Sequence, residues 1–589
     1  MKNSTFRAIL GMAAATLAAF ALTTASAQAP APDKAAAKPA PAKAAAPVKT
    51  SAPGKVPAGN KECIECHEEL KEFHDPGKHK TVACTECHSN TDAHLKNKKT
   101  RPVTSTDPAK CGSCHKNQYE TMYQMNFERQ ARDEKSQYKG PSPNPAWEKL
   151  MTPHGFTKEH NMPRSHAFAL YDQLVVDRAF GGRFENKYGW SDLARAGGNF
   201  KIWDVLVDKQ PGEPHKAFKP GTAAAANPVC MSCKTADHIL DWAYLGDPDP
   251  KAKWSRTSKV VDFVKDVNHS LNCIFCHDPH GGQPRIIRDG LIQALTRPEK
   301  DTLWHKDPKA TKIDVKELGQ RGFTRKIAIL EKTDSKLQCA QCHVEYNCNP
   351  GTDPTTGKPV TMADSRTNHF PLKNAMDLAQ HYRDLKFRDF KHGITGAMLW
   401  KAQHPDVEVY WGSVHDKEGA QCHTCHMPKM KDKKTGKEFT SHWQTTPKHY
   451  VKEACQGCHK NWSKEQSNYT VDALKNRFMG KLRKAEYHLT RMIDKFEEAK
   501  NLGVDEATLN VVREKHYEAH VHWEFWTAAN GAYFHNPQLA DESINKGMVI
   551  SQEATKILED AMAKKRTVAV AAPPAQPAAP APAAAPAKK

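Results

Sequence analysis

The sequence predicts a mainly α fold with little strand, an interior filled by covalently attached prosthetic groups, and long helices toward the C-terminus. Three observations predict it. Sixteen of the 17 cysteines fall in Cys-x-x-Cys pairs. Leu474, Phe478, Leu482, Ala485, Leu489, Met492 and Phe496 recur at steps of three and four, an apolar stripe on one long helix. A mean hydropathy of −0.72 requires that much of the apolar interior come from something other than side chains.

In chain order, residues 1–27 read as a secretory leader: Lys2 and Arg7 give a positive start, Ile9 to Leu22 an apolar run, and Ala25-Ser26-Ala27 a small-residue cleavage site. That run is too short to span a bilayer. The expected location is therefore the periplasm. Residues 28–58 form an Ala/Pro/Lys-rich linker and 567–589 an Ala/Pro-rich tail, neither able to bury apolar surface. Between them the spacing of the cysteine pairs sets off a three-motif module over 59–150, a five-motif core over 151–460 and long helices over 461–566. Asn501-Leu502-Gly503 ends the first long helix, a second is expected from about Asp505 to Ala532, and Pro537 begins a third.

Haem enters this division through the cysteines. Seven pairs are followed at once by histidine: Cys63/Cys66/His67, Cys84/Cys87/His88, Cys111/Cys114/His115, Cys273/Cys276/His277, Cys339/Cys342/His343, Cys422/Cys425/His426 and Cys455/Cys458/His459. Two thiols at this spacing reach the two vinyl groups of one haem, and the next residue is placed to coordinate its iron. Zinc ribbons share the cysteine spacing but do not demand a histidine after every pair. Of the 31 histidines, 24 remain to supply opposite axial ligands, and His79, His269, His415 and His449 sit just ahead of following motifs. The formal charge of +19 falls to roughly +9 once the leader is lost and each haem brings its propionates. This excludes a nucleic-acid reading and suits small anions or acidic electron carriers.

The eighth pair differs: Cys230-Met231-Ser232-Cys233-Lys234 carries lysine where the others carry histidine. An amine ligates iron only when neutral, so Lys234 is expected to sit where burial depresses its pKa. One departure among eight repeats marks this haem as the one with an open face, the other seven being electron wires.

With these blocks the chain resembles the multihaem ammonia-forming cytochrome c nitrite reductases, and most closely their octahaem branch, because three motifs precede the lysine motif. The resemblance covers roughly Ser165 to Pro537 and rests on CMSCK, on Ser165-His166-Ala167-Phe168 leading to Arg178, on Glu345-Tyr346 within CAQCHVEYNC, on Lys401-Ala402-Gln403-His404-Pro405, on His415 before CHTCHMP, on Ser441-His442-Trp443 and on Phe534-His535-Asn536-Pro537. It implies eight haem c groups, with His166, His415, His442 and His535 as distal ligands. Arg178, Tyr346 and His404 would line the open face of the Lys234 haem, with Arg183 as the competing arginine. Calcium would be held by the Glu345 carboxylate, the Tyr346 and Lys401 carbonyls and the Gln403 amide, all oxygen donors. The implied reaction is six-electron reduction of nitrite to ammonium, with hydroxylamine or sulfite as side substrates. Electrons would come from a periplasmic or membrane-bound donor, a quinol-oxidising cytochrome or small redox protein, and the chains would associate as a homo-oligomer.

The bottom-up chemistry agrees: arginine offers nitrite a permanent charge, histidine shuttles protons and a tyrosine hydroxyl donates one. Two other classes compete, an octahaem enzyme that oxidises hydroxylamine and a pure electron-transfer cytochrome. The first uses histidine in every motif; the second would need eight six-coordinate haems. Cys348, the cysteine outside the motifs, lies two residues after Tyr346 and is expected on the same side of an extended segment, placed for a thioether to the tyrosine ring.

Overall fold

The computed structural model describes residues 58–126, 139–141, 146–153, 159–161, 165–170, 184–186, 206–208, 228–237, 253–258, 266–267, 269–318 and 325–571. The leader, nearly all of the linker, Arg178, Arg183 and the tail beyond residue 571 lie outside the described residues.

Short helices carry the cysteine motifs: α1 (Ala58–Cys66), α2 (Thr91–Lys96), α3 (Pro108–Gly112), α4 (Pro228–Met231), α5 (Cys273–Cys276), α6 (Ser335–Cys339), α7 (Asp406–Tyr410) and α8 (Cys422–His426), of which α2 and α7 lie between motifs. One helical turn puts two cysteines three residues apart on the same side. The following histidine closes the turn through its amide, which donates to the carbonyl of the first cysteine, for example His115 to Cys111 at 2.8 Å and His343 to Cys339 at 2.8 Å. Lys234 departs from this pattern: its amide donates to Met231, 2.8 Å away.

Strand is sparse. β1 (Arg285–Ile286), β2 (Ile313–Leu318) and β3 (Arg325–Leu330) form an antiparallel sheet in the order β1-β3-β2. A small hairpin pairs β4 (Phe390–Lys391) with β5 (Met398–Leu399), and its turn carries His392 and Thr395.

The C-terminal third is α9 (Lys464–Asn501), α10 (Glu506–Ala528), a one-turn α11 (Ala532–His535) and α12 (Pro537–Ala571). The Ser463 hydroxyl caps α9 by accepting from the Gln466 amide at 3.1 Å, and the Asp505 carboxylate caps α10 by accepting from Thr508 at 2.8 Å. Gly503, with φ of 75°, ends α9 as its position suggests. The second helix stops at Ala528, short of Ala532, because Gly531 takes a left-handed φ of 66° and restarts the chain into α11. The predicted stripe is the buried face of α9 from Phe478 to Phe496, and α12 packs along both α9 and α10. At Gly547 the α12 backbone approaches α10 so closely that a Cβ would fall 2.9 Å from that of His522. These helices share one apolar core with Tyr382, Phe387, Trp400 and Val409. A second core joins Val229, Met231, Leu291, Leu337, Val344, Tyr346 and Phe370 around the lysine motif.

Candidate functional site

Every motif histidine faces a second histidine. Ring centroids are 6.2 Å apart for His67 and His94, 6.1 Å for His115 and His79, 6.4 Å for His88 and His280, 6.0 Å for His343 and His166, 6.5 Å for His277 and His442, 6.2 Å for His426 and His535, and 6.4 Å for His459 and His415. Two imidazoles on opposite sides of one iron, each with a metal–nitrogen bond of about 2 Å and a ring radius of about 1.2 Å, would have centroids about 6.3 Å apart. The observed spacings bracket that value, so the residues fit bis-histidine haem.

The free nitrogens agree. Nδ1 of His79 donates to the Pro279 carbonyl at 2.8 Å, that of His94 to Thr100 at 2.8 Å, that of His426 to Thr445 at 2.9 Å and that of His442 to Thr440 at 2.9 Å. His166 Nδ1 lies 2.7 Å from the Gln444 amide oxygen and His343 Nδ1 2.8 Å from Asp406 Oδ2. Such bonds fix the tautomer and leave Nε2 as the ligand atom. Burial helps by keeping rings neutral: it pushes His166, His277 and His535 down to about 4. His343 goes the other way, because its bond to Asp406 outweighs burial and raises it.

Among the expected distal residues, His79, His166, His415, His442 and His535 all stand in these pairs. His269 instead turns Nδ1 toward Asp237, 3.3 Å away, and His449 stacks on Trp443 at 4.9 Å. The sequence reading missed His94 and His280. His280 lies three residues beyond His277 and serves the distant His88, a long-range pairing that local spacing does not reveal. The same region binds the N-terminal segment elsewhere, as the Lys78 amide donates to the Gly281 carbonyl at 3.0 Å.

The thiols divide by burial. Cys233 is buried, and both thiols of the motifs at 273–277, 339–343 and 422–426 are half-buried. The second thiol of each N-terminal motif, Cys66, Cys87 and Cys114, and that of the last motif, Cys458, are exposed. Other motif thiols meet one another: Cys63 lies against Cys84, Cys111 against Cys273, Cys233 against Cys342 and Cys339 against Cys422. No disulfide joins any of the cysteines.

The lysine motif has different surroundings. Lys234 is half-buried, and its amine lies within electrostatic reach of His404 and His166. His404 is the exposed member of an otherwise buried run from Lys401 to Tyr410. Desolvation of its imidazole by the surrounding protein pushes it down to about 3. Tyr346 is buried, packs with its ring tilted against Phe370 at 5.3 Å between centroids, and has its hydroxyl pKa raised far above normal by burial. Arg288, another residue the sequence reading missed, is fully buried beside them. It hydrogen-bonds Ser232 of the motif, holds its guanidinium 5.9 Å from the Tyr346 ring centre, and leaves Nη2 without a partner.

Beneath this group lies a set of buried carboxylates. Glu345 is 0% exposed and accepts from the Gln403 amide at 2.7 Å and the Tyr382 hydroxyl at 3.3 Å. Glu408, also 0% exposed, accepts from the Glu345 amide at 2.9 Å through one oxygen, and the other oxygen has no partner. Burial raises both carboxyls far above the usual range, and Asp389 to about 7. The buried Lys401 amine lies within electrostatic reach of Glu345, Asp389 and Glu524, and the Gln403 side-chain amide donates to Cys348 Sγ at 3.0 Å. Burying this much negative charge beside one lysine is costly unless a further cation compensates it, so the oxygen-rich set fits a hard divalent ion. Among the described residues no three His, Cys, Asp or Glu side chains converge as a metal site, here or elsewhere, so the expected donors at this place are one carboxylate with carbonyl and amide oxygens.

The fold and the repeated motifs define a multihaem c-type cytochrome. A model of the cytochrome c552 family matches residues 194–588, and the chain belongs to that family. Relatives include cytochrome c-552 of Bacteroides thetaiotaomicron, 24% identical over 70% of this chain and 68% of its own length. Cytochrome c-552 of Haemophilus influenzae is 26% identical, with 69% and 65% covered. The cytochrome c nitrite reductase subunit NrfA of Nitratidesulfovibrio vulgaris is likewise 26% identical, with 69% and 67% covered. The chain thus spans about two thirds of these relatives. Among solved structures, the cytochrome c nitrite reductase of Desulfovibrio desulfuricans, described with two calcium sites in its catalytic subunit, shares the fold with a TM-score of 0.54. It is 22% identical, and the match covers 80% of this chain and 89% of that one.

Proposed function

We propose that this protein is an exported octahaem cytochrome that reduces nitrite to ammonium at the haem of the Cys230/Cys233/Lys234 motif. The observation that carries the reading is the contrast between seven motif histidines, each facing a second imidazole, and Lys234, which is set instead among His404, Tyr346 and Arg288. Bound haem supplies one-electron redox chemistry and, at Lys234, a face open to the substrate.

The residues then divide the work. Arg178 would bind the nitrite anion, with the fixed charge of Arg288 nearby favouring its approach. His404 would pass protons to the substrate oxygens and nitrogen, and the Tyr346 hydroxyl would donate a hydrogen bond or proton to them. A calcium ion on Glu345, Tyr346, Lys401 and Gln403 would hold Tyr346 and His404 in register. The touching motifs, 111–115 on 273–277 and 230–234 on 339–343, support electron passage from the N-terminal three-haem module to the core. A thioether from Cys348 to Tyr346 belongs to the same reading, and Cys348 is buried within electrostatic reach of that tyrosine. The absence of any membrane-crossing helix among the described residues is consistent with a periplasmic enzyme fed by a separate electron donor.

The test is ammonium yield with a reduced viologen-type donor. One ammonium per nitrite consumed supports the assignment. Nitrite consumption that ends in nitric oxide, or no consumption at all, opposes it.

A further inference from the structure

The proposed reaction consumes eight protons with six electrons for each nitrite, and the buried site has to be resupplied with protons. A second group of buried titratable residues, remote from the haem motifs, runs toward it. On α10, His516, His520 and Glu524 follow at intervals of four, which stacks them on one face of the helix. Their exposures are 0%, 0% and 1%. Fully buried histidines are unusual in a helix that could pack on leucine, and no role in the haem pairs accounts for them.

The outer end of the row meets a surface cavity of about 570 Å³ lined by Lys391, His392, Thr395, Lys500, Glu506 and Asn510. From it the Thr395 hydroxyl reaches inward, 3.2 Å from His392 Nδ1 and 2.9 Å from His516 Nδ1. The His392 and His516 rings lie 4.8 Å apart, and His392 Nε2 donates to the Lys149 carbonyl at 2.9 Å. The next step is one helical turn: the His516 and His520 rings are 6.0 Å apart. His516 Nε2 and His520 Nδ1 are both buried and without a protein partner. Two orphaned ring nitrogens at that spacing suit one bridging water, which would satisfy both. On its other side, His520 Nε2 lies 2.9 Å from Glu524 Oε2.

The inner end faces the site. The Glu524 carboxylate acts on the buried Lys401 amine and on Asp389. The Lys401 amide donates to Asp389 at 2.9 Å, and two residues on Gln403 holds Glu345, next to His404.

We infer that Thr395, His516 and His520 form a proton-conducting path from the surface cavity to the buried Glu524 carboxylate. This rests on the nitrite-reductase reading. In each transfer a proton from cavity water replaces the hydroxyl proton of Thr395 as that proton passes to His516 Nδ1. Nε2 gives its proton to the bridging water, the water passes one to His520 Nδ1, and Nε2 delivers to Glu524. Only O–H and N–H bonds form and break, no electron moves, and rotation of each ring resets its tautomer.

The experiment uses the full haem-loaded protein with His516→Gln and His520→Gln, which keep a polar side chain but cannot relay a proton. The expected result is a fall in kcat for ammonium formation of at least about 10-fold, with KM for nitrite little changed. The solvent deuterium isotope effect should rise, and haem absorption spectra should match the parent. Parent-like kcat and isotope effect in both variants would overturn the path. So would a fall in kcat that comes with lost haem or altered spectra, since it would assign the histidines to packing. A parent protein that forms no ammonium would instead defeat the functional reading, so the two failures are distinguishable.

Discussion

His404 is the residue on which the chemistry turns. It stands in an otherwise buried run, within electrostatic reach of the Lys234 amine, and adjacent to the Gln403 that Glu345 holds. Replacing His404 or Arg178 with alanine should lower ammonium formation by at least about 100-fold, the usual scale for losing a proton donor or a preorganised charge. Haem content and the spectra of the remaining haems should be unchanged; steady-state assays beside absorption spectra check both. His280 gives a separate test, because its ring faces that of His88 across the spacing of a bis-histidine haem. A His280→Ala protein should retain all its haem and convert one low-spin haem to high spin, visible by electron paramagnetic resonance. Retention of a fully low-spin spectrum would assign the opposite ligand of that haem elsewhere.

At the scale of elements, the turn between β4 and β5 docks onto α10 through histidines. Burial holds His392 down to about 4 and drives His516 far below the usual imidazole value. His392 also faces His520, whose charge would lower it further, and Arg513 donates to the Thr395 carbonyl at 2.7 Å beside the pair. A depressed histidine pKa means that the unfolded chain binds more protons than the folded one at mildly acidic pH. Stability therefore declines as pH falls through about 6.5 and keeps declining until the folded-state value is reached. For His392 alone the loss between pH 6.5 and 4 amounts to about 3 kcal/mol. Thermal melting followed at helix wavelengths should show a lower Tm at pH 5 than at pH 7. The decline should shrink in a His392→Gln protein. Along α9, truncation of Leu489 or Phe496, both buried at 1% or less, should cost about 2 to 5 kcal/mol, measured by denaturant unfolding.

For the whole molecule, the pairing of His88 with His280 and the docking of residues 77–79 on 279–281 bind the N-terminal motifs to the core. The expected boundary at residue 150 separates motif groups in sequence, while these contacts cross it. Intact mass after export should show eight haem increments on each chain; seven would mean that the Lys234 motif holds none. Much of this was legible in the sequence. Cysteine spacing is local chemistry, so the motifs and the lysine exception could be read from it, whereas the candidates His404 and Tyr346 came from the resemblance of their sequence blocks to the nitrite reductases. The stripe of α9 and the Gly503 stop follow from helical periodicity and one backbone preference. Ligand pairs are not local. His94 and His280 carry no spacing signal, and His269 and His449 sit where proximity favoured them yet turn to Asp237 and Trp443. Only the tertiary structure decided which imidazole faces which, that Arg288 stands over Tyr346, and that His516, His520 and Glu524 align between a surface cavity and Lys401. Those arrangements depend on side chains brought together across hundreds of residues by packing, and a linear pattern records that packing only where it coincides with a repeat.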